Sequence, residues 1–288
     1  MPVNLLFILH LPPPKHGAAI VGRQIKQSRI INKIYNIKYI NLSTSNNIKE
    51  IGKKNIQKIK KIIIICGNIV HNMKCYKPHR VYFTLTAKGL GFYKDFILIL
   101  LIKSFGGKMI YHLHNKGVAD RQSYRINNIM YEIVFHNSEV IILSEYIYKD
   151  IEKYVKRSKV YICPNGIGDN NKALEKESLN TNKKINGTIQ LLFLSNLYET
   201  KGVRILLEAC HILKKNNIIF NCKIAGAEGD ISKNELLQMI LDYGLNTKVQ
   251  YEGYAGKCEK KKLFRTSDIF VFPTLRETYG LVVLEAMR

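Results

Sequence analysis

Short apolar runs alternate with longer amphipathic stretches from one end of this chain to the other, and no other feature restricts its fold as much. Residues 5–9, 37–40, 81–85, 109–114, 140–144 and 160–163 read as buried strands, as do residues 191–195, 220–225, 249–251 and 268–272. Helix-like segments separate most of them, at residues 18–31, 91–104, 122–135, 146–155, 203–214, 233–242 and 259–265. Strand alternating with helix predicts parallel sheets in α/β layers. Unbroken Ile, Val and Leu in the strands fits sheets covered on both faces.

The alternation stops between Pro164 and Thr188. A turn cluster, Pro164-Asn-Gly-Ile-Gly-Asp-Asn-Asn, leads into a polar stretch of Lys, Glu and Asn, and a fresh strand starts at Ile189. This places one domain at residues 1–165, a linker at 166–188 and a second domain at 189–288, a reasonable division of 288 residues. Ligands of such sheets sit outside the carboxyl ends of the strands, so the chemistry is sought in the loops that follow strands.

Charge narrows the partners. Lys and Arg number 45 against 22 Asp and Glu, a net +23. Of these cations 35 are Lys and 10 are Arg, whereas reading bases calls on the bidentate guanidinium. No DNA- or RNA-binding motif is recognisable, so nucleic acid is not expected as a partner. The charge favours anionic membranes, lipid-phosphate acceptors and nucleotide donors. The basic run at residues 49–61 reads as a solvated helix face ahead of a buried strand at residues 62–65. A membrane-facing patch, aided by the apolar segment 96–102, is the alternative. The six cysteines form no C-x-x-C pair, which argues against a zinc site or a disulfide framework and for a reducing cytoplasm. The first ten residues read as a strand, not a signal peptide, and no apolar run approaches the ~20 residues of a membrane span.

The most specific string closes the chain: Pro273-Thr-Leu-Arg-Glu277-Thr-Tyr279-Gly280-Leu281-Val-Val-Leu-Glu285-Ala-Met287. It reads as the loop after a strand followed by a helix, with Glu285 about two turns in. A loop-to-helix junction offers free N–H groups to phosphate, and Gly280 permits close approach to the backbone. Carboxylates at Glu277 and Glu285 can accept hydrogen bonds from sugar and ribose hydroxyls.

This string resembles the donor-site motif of glycosyltransferase family 4, written Pro-Ser, two residues, Glu-Gly-Phe-Gly, two residues, an apolar pair and Glu-Ala. Seven residues separate the motif's two glutamates, as they do Glu277 and Glu285 here. The resemblance implies the GT-B fold: two Rossmann-like α/β domains with parallel sheets facing across a cleft, the second incomplete because the chain stops at Arg288. It implies transfer of sugar from a nucleotide-diphosphate donor to a glycan or lipid-linked acceptor, with retention at the anomeric carbon and without metal or other cofactor. The setting would be surface polysaccharide or lipopolysaccharide synthesis. By the same resemblance, Lys201 in Asn196-Leu-Tyr-Glu-Thr-Lys201-Gly202 binds the diphosphate, with Tyr279, Gly280 and Leu281 beside it. Asn196 stands where the family usually carries an Arg, and would bind the donor through a hydrogen bond without supplying charge. Gly17 keeps one of the family's two glycines near the donor phosphate. His114, ending a strand, would orient the transferred sugar with Glu277, while Glu285 would take the ribose. His112 on the same strand face reads as structural, and Ser144-Glu145 as a helix cap. A GT-B epimerase, an inactive or partial GT-B chain, and a basic nucleic-acid-binding protein are the competing readings.

Overall fold

The chain divides into two compact units, Met1–Asn165 and Gly166–Arg288, each built on a parallel sheet. The computed structural model describes residues 3–14, 16–44, 56–167 and 187–288. Lys15, residues 49–55 of the basic run and residues 168–186 of the expected linker lie outside the described residues.

The first sheet comprises β1 (Asn4–Leu9), β2 (Asn36–Asn41), β3 (Arg80–Leu85), β4 (Met109–Leu113), β5 (Glu139–Ile142) and β6 (Val160–Ile162), in the order β2-β1-β3-β4-β5-β6. Side chains of β1 alternate between two buried faces. Leu6 and Ile8 are fully buried, and Phe7 and Leu9 pack with Tyr82. Helices α1 (Gly17–Gln27) and α2 (Arg29–Ile34) join β1 to β2. Helices α3 (Ile56–His71), α4 (Leu90–Ser104) and α5 (Arg125–Phe135) precede β3, β4 and β5. The chain steps one way from β1 to β2 and the other way thereafter. Right-handed crossovers therefore put α1 and α2 on one face and α3, α4 and α5 side by side on the other, with α4 packing against both α3 and α5.

The second sheet has β7 (Ile189–Leu194), β8 (Phe220–Ala225), β9 (Val249–Gly253) and β10 (Ile269–Phe270), in the order β10-β7-β8-β9. Leu191 and Phe193 of β7 join one core cluster with Leu206 and Leu207 of α6 (Val203–Lys215) and Leu236 of α7 (Lys233–Asp242). Leu192 and Leu194 join another with Leu263 of α8 (Lys257–Arg265). A last helix, α9, runs Leu281–Ala286. Both sheets are thus the doubly covered parallel sheets that the apolar runs imply.

Three local expectations are corrected. Residues 62–65 are not a strand but the middle of α3. Ile65 and Ile69 are buried one turn apart while Ile63 and Ile64 are exposed, so helical spacing outweighs the β preference of four successive isoleucines. The helix expected over residues 18–31 is two, because Ser28 accepts the Ile31 N–H at its hydroxyl (3.4 Å) and starts α2 afresh. The helix expected over residues 146–155 is a short 3₁₀ turn, Glu145–Asp150, and Ser144 makes no side-chain cap bond to it. Glu145 pairs instead with Arg157 (2.8 Å), and the Asp150 carboxylate accepts the N–H groups of Gly117, Val118 and Ala119 at 2.9–3.1 Å.

Candidate donor and sugar sites

In the second sheet the chain leaves β7 for β8 on one side and returns from β9 to β10 on the other. The loops after β7 and β10 therefore flank a topological switch point, where open α/β sheets hold their ligands. After β7 comes a 3₁₀ turn, Glu199–Lys201, closed by Gly202 at φ +80°. After β10 comes the loop to Gly280.

Three contacts fuse turn and loop into one body. The Thr200 carbonyl accepts the N–H groups of Leu275 (2.9 Å) and Arg276 (3.3 Å) and the Thr274 hydroxyl (3.2 Å). Pro273 packs so closely on Gly202 that a Cβ there would overlap the Pro273 carbonyl oxygen. Lys201 Nζ then donates to Glu277 Oε2 at 2.7 Å and to the Arg276 carbonyl at 3.3 Å. Glu277 Oε1 accepts the Thr278 N–H at 2.9 Å. Burial pushes the Glu277 carboxyl upward, but Lys201 and the N–H groups of Thr278 and Tyr279 outweigh it and hold the group below its usual value. Glu277 is an anion at neutral pH, and Lys201 its counterion.

Gly280 precedes α9 as its N-terminal flanking residue at φ +71°, a left-handed conformation suited to glycine. Tyr279 and Leu281 flank it, both partly buried. Glu285 lies just over one turn into the helix, not two, since α9 starts at Leu281. It makes an ion pair with Lys260 of α8. Asn196 Oδ1 accepts the Ala227 N–H at 3.3 Å, so its amide ties the turn after β7 to the turn after β8. At that second turn a Cβ on Gly226 would overlap the Ser195 carbonyl. Lys201, Glu277, Tyr279, Gly280 and Leu281 thus share one continuous loop surface, with Asn196 on a neighbouring turn and Glu285 on the helix behind. The Thr200 clamp and Lys260 were not singled out from the sequence. The clamp acts through a carbonyl, which every residue has, and Lys260 is one of several lysines in its segment.

His114 and Gly17 belong to the first unit. His114 follows β4 and is partly buried, and its buried Nδ1 has no hydrogen-bond partner among the described residues. An unpaired buried nitrogen at a strand's carboxyl end is the kind of exception that marks a ligand site. The His112 ring lies 4.1 Å from that of His114, and its Nδ1 is 2.5 Å from the Tyr82 hydroxyl. His10, after β1, and His16, before α1, bring their rings within 5.3 Å of each other. Gly17 opens α1, and a Cβ there would meet nothing within 4 Å. Its own unit's packing therefore does not require glycine. Gly22 differs, because a Cβ would overlap the His10 carbonyl and push α1 off the end of β1.

Burial, helped by His16, lowers His114 to about 4. Burial and the neighbouring His114 lower His112 to about 2. His10 falls well below its usual value through burial, Lys94, His16 and His114. All three are neutral imidazoles at neutral pH. Unfolded histidines titrate near 6.5, so between that value and about 4 the unfolded chain binds more protons than the folded one. Stability of the first unit therefore rises with pH through this window and is lost on acidification. Thermal melts across the window should show that loss, and His114→Gln should flatten it.

Comparison with known proteins shows what the chain is similar to. Residues 174–288 match the model for Glycosyl transferases group 1. An uncharacterized glycosyltransferase of Methanocaldococcus jannaschii is 28% identical over 181 residues, covering 59% of this chain and 45% of that protein. The amylovoran biosynthesis glycosyltransferase of Erwinia amylovora is 25% identical over 194 residues, covering 65% and 46%. Among solved structures, Anabaena HepE in complex with UDP-glucose aligns with a TM-score of 0.62 at 14% identity, covering 99% of this chain and 78% of that one. The second unit resembles glycosyl transferases group 1 in sequence, and the chain as a whole shares the GT-B fold of these solved glycosyltransferases. The matches span less than half the length of these curated relatives.

Proposed function

We propose that the protein transfers a sugar from a nucleotide-diphosphate sugar to a glycan or lipid-linked acceptor, with retention of anomeric configuration and without a metal. The observation that carries this reading is the Lys201–Glu277 pair, held at 2.7 Å on the loop body at the switch point of the second sheet. Lys201 would neutralise charge growing on the leaving diphosphate, assisted by the Gly280 and Leu281 amides and by Gly17. Glu277 would accept hydrogen bonds from the sugar, and neutral His114 would give or take one more. Glu285 would reach the ribose once Lys260 yields it. The acceptor oxygen bonds to the anomeric carbon as the carbon–phosphate-oxygen bond breaks, and the acceptor proton passes to the leaving phosphate oxygen. No carboxylate is assigned as nucleophile, which favours same-face displacement. The fold neighbour solved with UDP-glucose supports a nucleotide-sugar donor. The amylovoran relative supports surface polysaccharide assembly. We place the reaction in the cytoplasm, at the inner face of an anionic membrane. The test is NMR of the product's anomeric proton, with and without EDTA. Retention and indifference to EDTA are expected. Inversion, or loss of turnover on chelation, would overturn the proposal.

A further inference from the structure

The outer surfaces of α3, α4 and α5 stay apolar where water-facing helices are polar. On α4, Leu90, Tyr93, Ile97 and Leu100 succeed one another at helical spacing and are all exposed, so the helix is apolar outside as well as inside. Its neighbours extend the band: α3 exposes Ile59, Ile63 and Ile64, and α5 exposes Ile126, Ile129 and Ile133. Relative exposure reaches 64% at Ile63, 57% at Ile97 and 71% at Ile126. Single exposed isoleucines are ordinary, but a band carried across three adjacent helices marks an interaction surface.

The charges on these helices are mostly of one sign. The α3 segment contains no acid, and the one acid of α4, Asp95, is fully buried. On α5 only Glu132 remains. Lys60, Lys74 just beyond α3, and Arg125 are exposed. No helix among the described residues is long and apolar enough to cross a membrane. The 15 residues of α4 reach about 22 Å, short of the ~30 Å hydrocarbon core, so these helices can lie on a bilayer and not through it.

We infer that this face of the first unit docks on an anionic lipid bilayer, its isoleucines among the headgroups and its lysines against lipid phosphates. An apolar band accompanied by cations matches the chemistry of that interface. A second copy of the chain would bring two sets of cations together, which like-charge repulsion opposes. The inference rests on the peripheral membrane contact proposed above, not on the transfer reaction, and vesicle binding is read with no substrate present, so either can fail alone.

Co-sedimentation of the whole chain with vesicles of phosphatidylglycerol and phosphatidylcholine tests it. Binding that weakens with salt is expected, with little on phosphatidylcholine alone. The combined variant Ile63→Ser, Ile97→Ser, Ile126→Ser should partition roughly tenfold less or worse with an unchanged circular dichroism spectrum. Should that variant fold poorly, Lys60→Glu with Lys74→Glu changes charge only and should lower binding by about fivefold per lysine or more. The inference is overturned if phosphatidylglycerol vesicles do not bind the chain, or if variants of normal fold bind them as well as the parent. It is equally overturned if sedimentation velocity without lipid shows a dimer that the isoleucine substitutions abolish.

Discussion

Lys201→Met is expected to lower sugar-transfer turnover by roughly two to three orders of magnitude, the cost of removing one preorganised charge stabiliser from a developing anion. In the structure Lys201 is already committed, with Nζ bonded to Glu277 at 2.7 Å and to the Arg276 carbonyl. A bound diphosphate would share that cation. Because the phosphate charge grows as the glycosidic bond breaks, the loss should fall on kcat more than on KM. Removing Lys201 also removes a principal influence holding the Glu277 carboxyl down, so residual activity should require higher pH than the parent. Steady-state kinetics across pH would show both effects. A variant with parental kcat and weakened KM alone would make Lys201 a simple binding residue.

Gly202→Ala carries the second largest expectation. The residue sits at φ +80°, and its added methyl would overlap the Pro273 carbonyl. Backbone strain of this kind costs about 1–3 kcal/mol. The larger effect is on chemistry, because the loop that carries Glu277 must retreat from the turn that carries Lys201, and a displacement near 1 Å can cost about a hundredfold in rate. Gly17→Ala is the control. Nothing lies within 4 Å of its added methyl, and alanine suits a first helical turn. Denaturant unfolding of the two variants should separate them: a lower midpoint for Gly202→Ala and none for Gly17→Ala. Equal stability and equal turnover for Gly202→Ala would mean that the loop and turn are not one body.

Much of the fold was legible because buried parallel strands leave unbroken apolar runs. Residues 220–225 and 233–242 are an expected strand and helix that the structure reproduces at the same bounds. Isoleucine density misled at residues 62–65, where a run that looks like a strand is a helix with one buried edge. The sequence showed Glu277, Lys201 and Gly280 as residue types at telling spacings, yet not that Glu277 and Lys201 pair with each other. That pairing follows from strand order, which puts β10 beside β7 although Thr200 and Thr274 are 74 positions apart in the chain. Nor could it show what Asn196 does. Where the family usually carries an Arg, the Asn196 amide oxygen accepts the Ala227 N–H, a partner visible only once β7 and β8 are side by side. The histidines after β1 and β4 were separate observations in the sequence. Burial in one unit makes them neutral.

The most direct test of the donor site is a screen of the whole chain against a panel of nucleotide sugars, reading release of nucleoside diphosphate. The account predicts release from at least one donor, and its near-complete loss in Glu277→Ala. Release unaffected by Glu277→Ala, or no release from any donor by a folded chain, would contradict it.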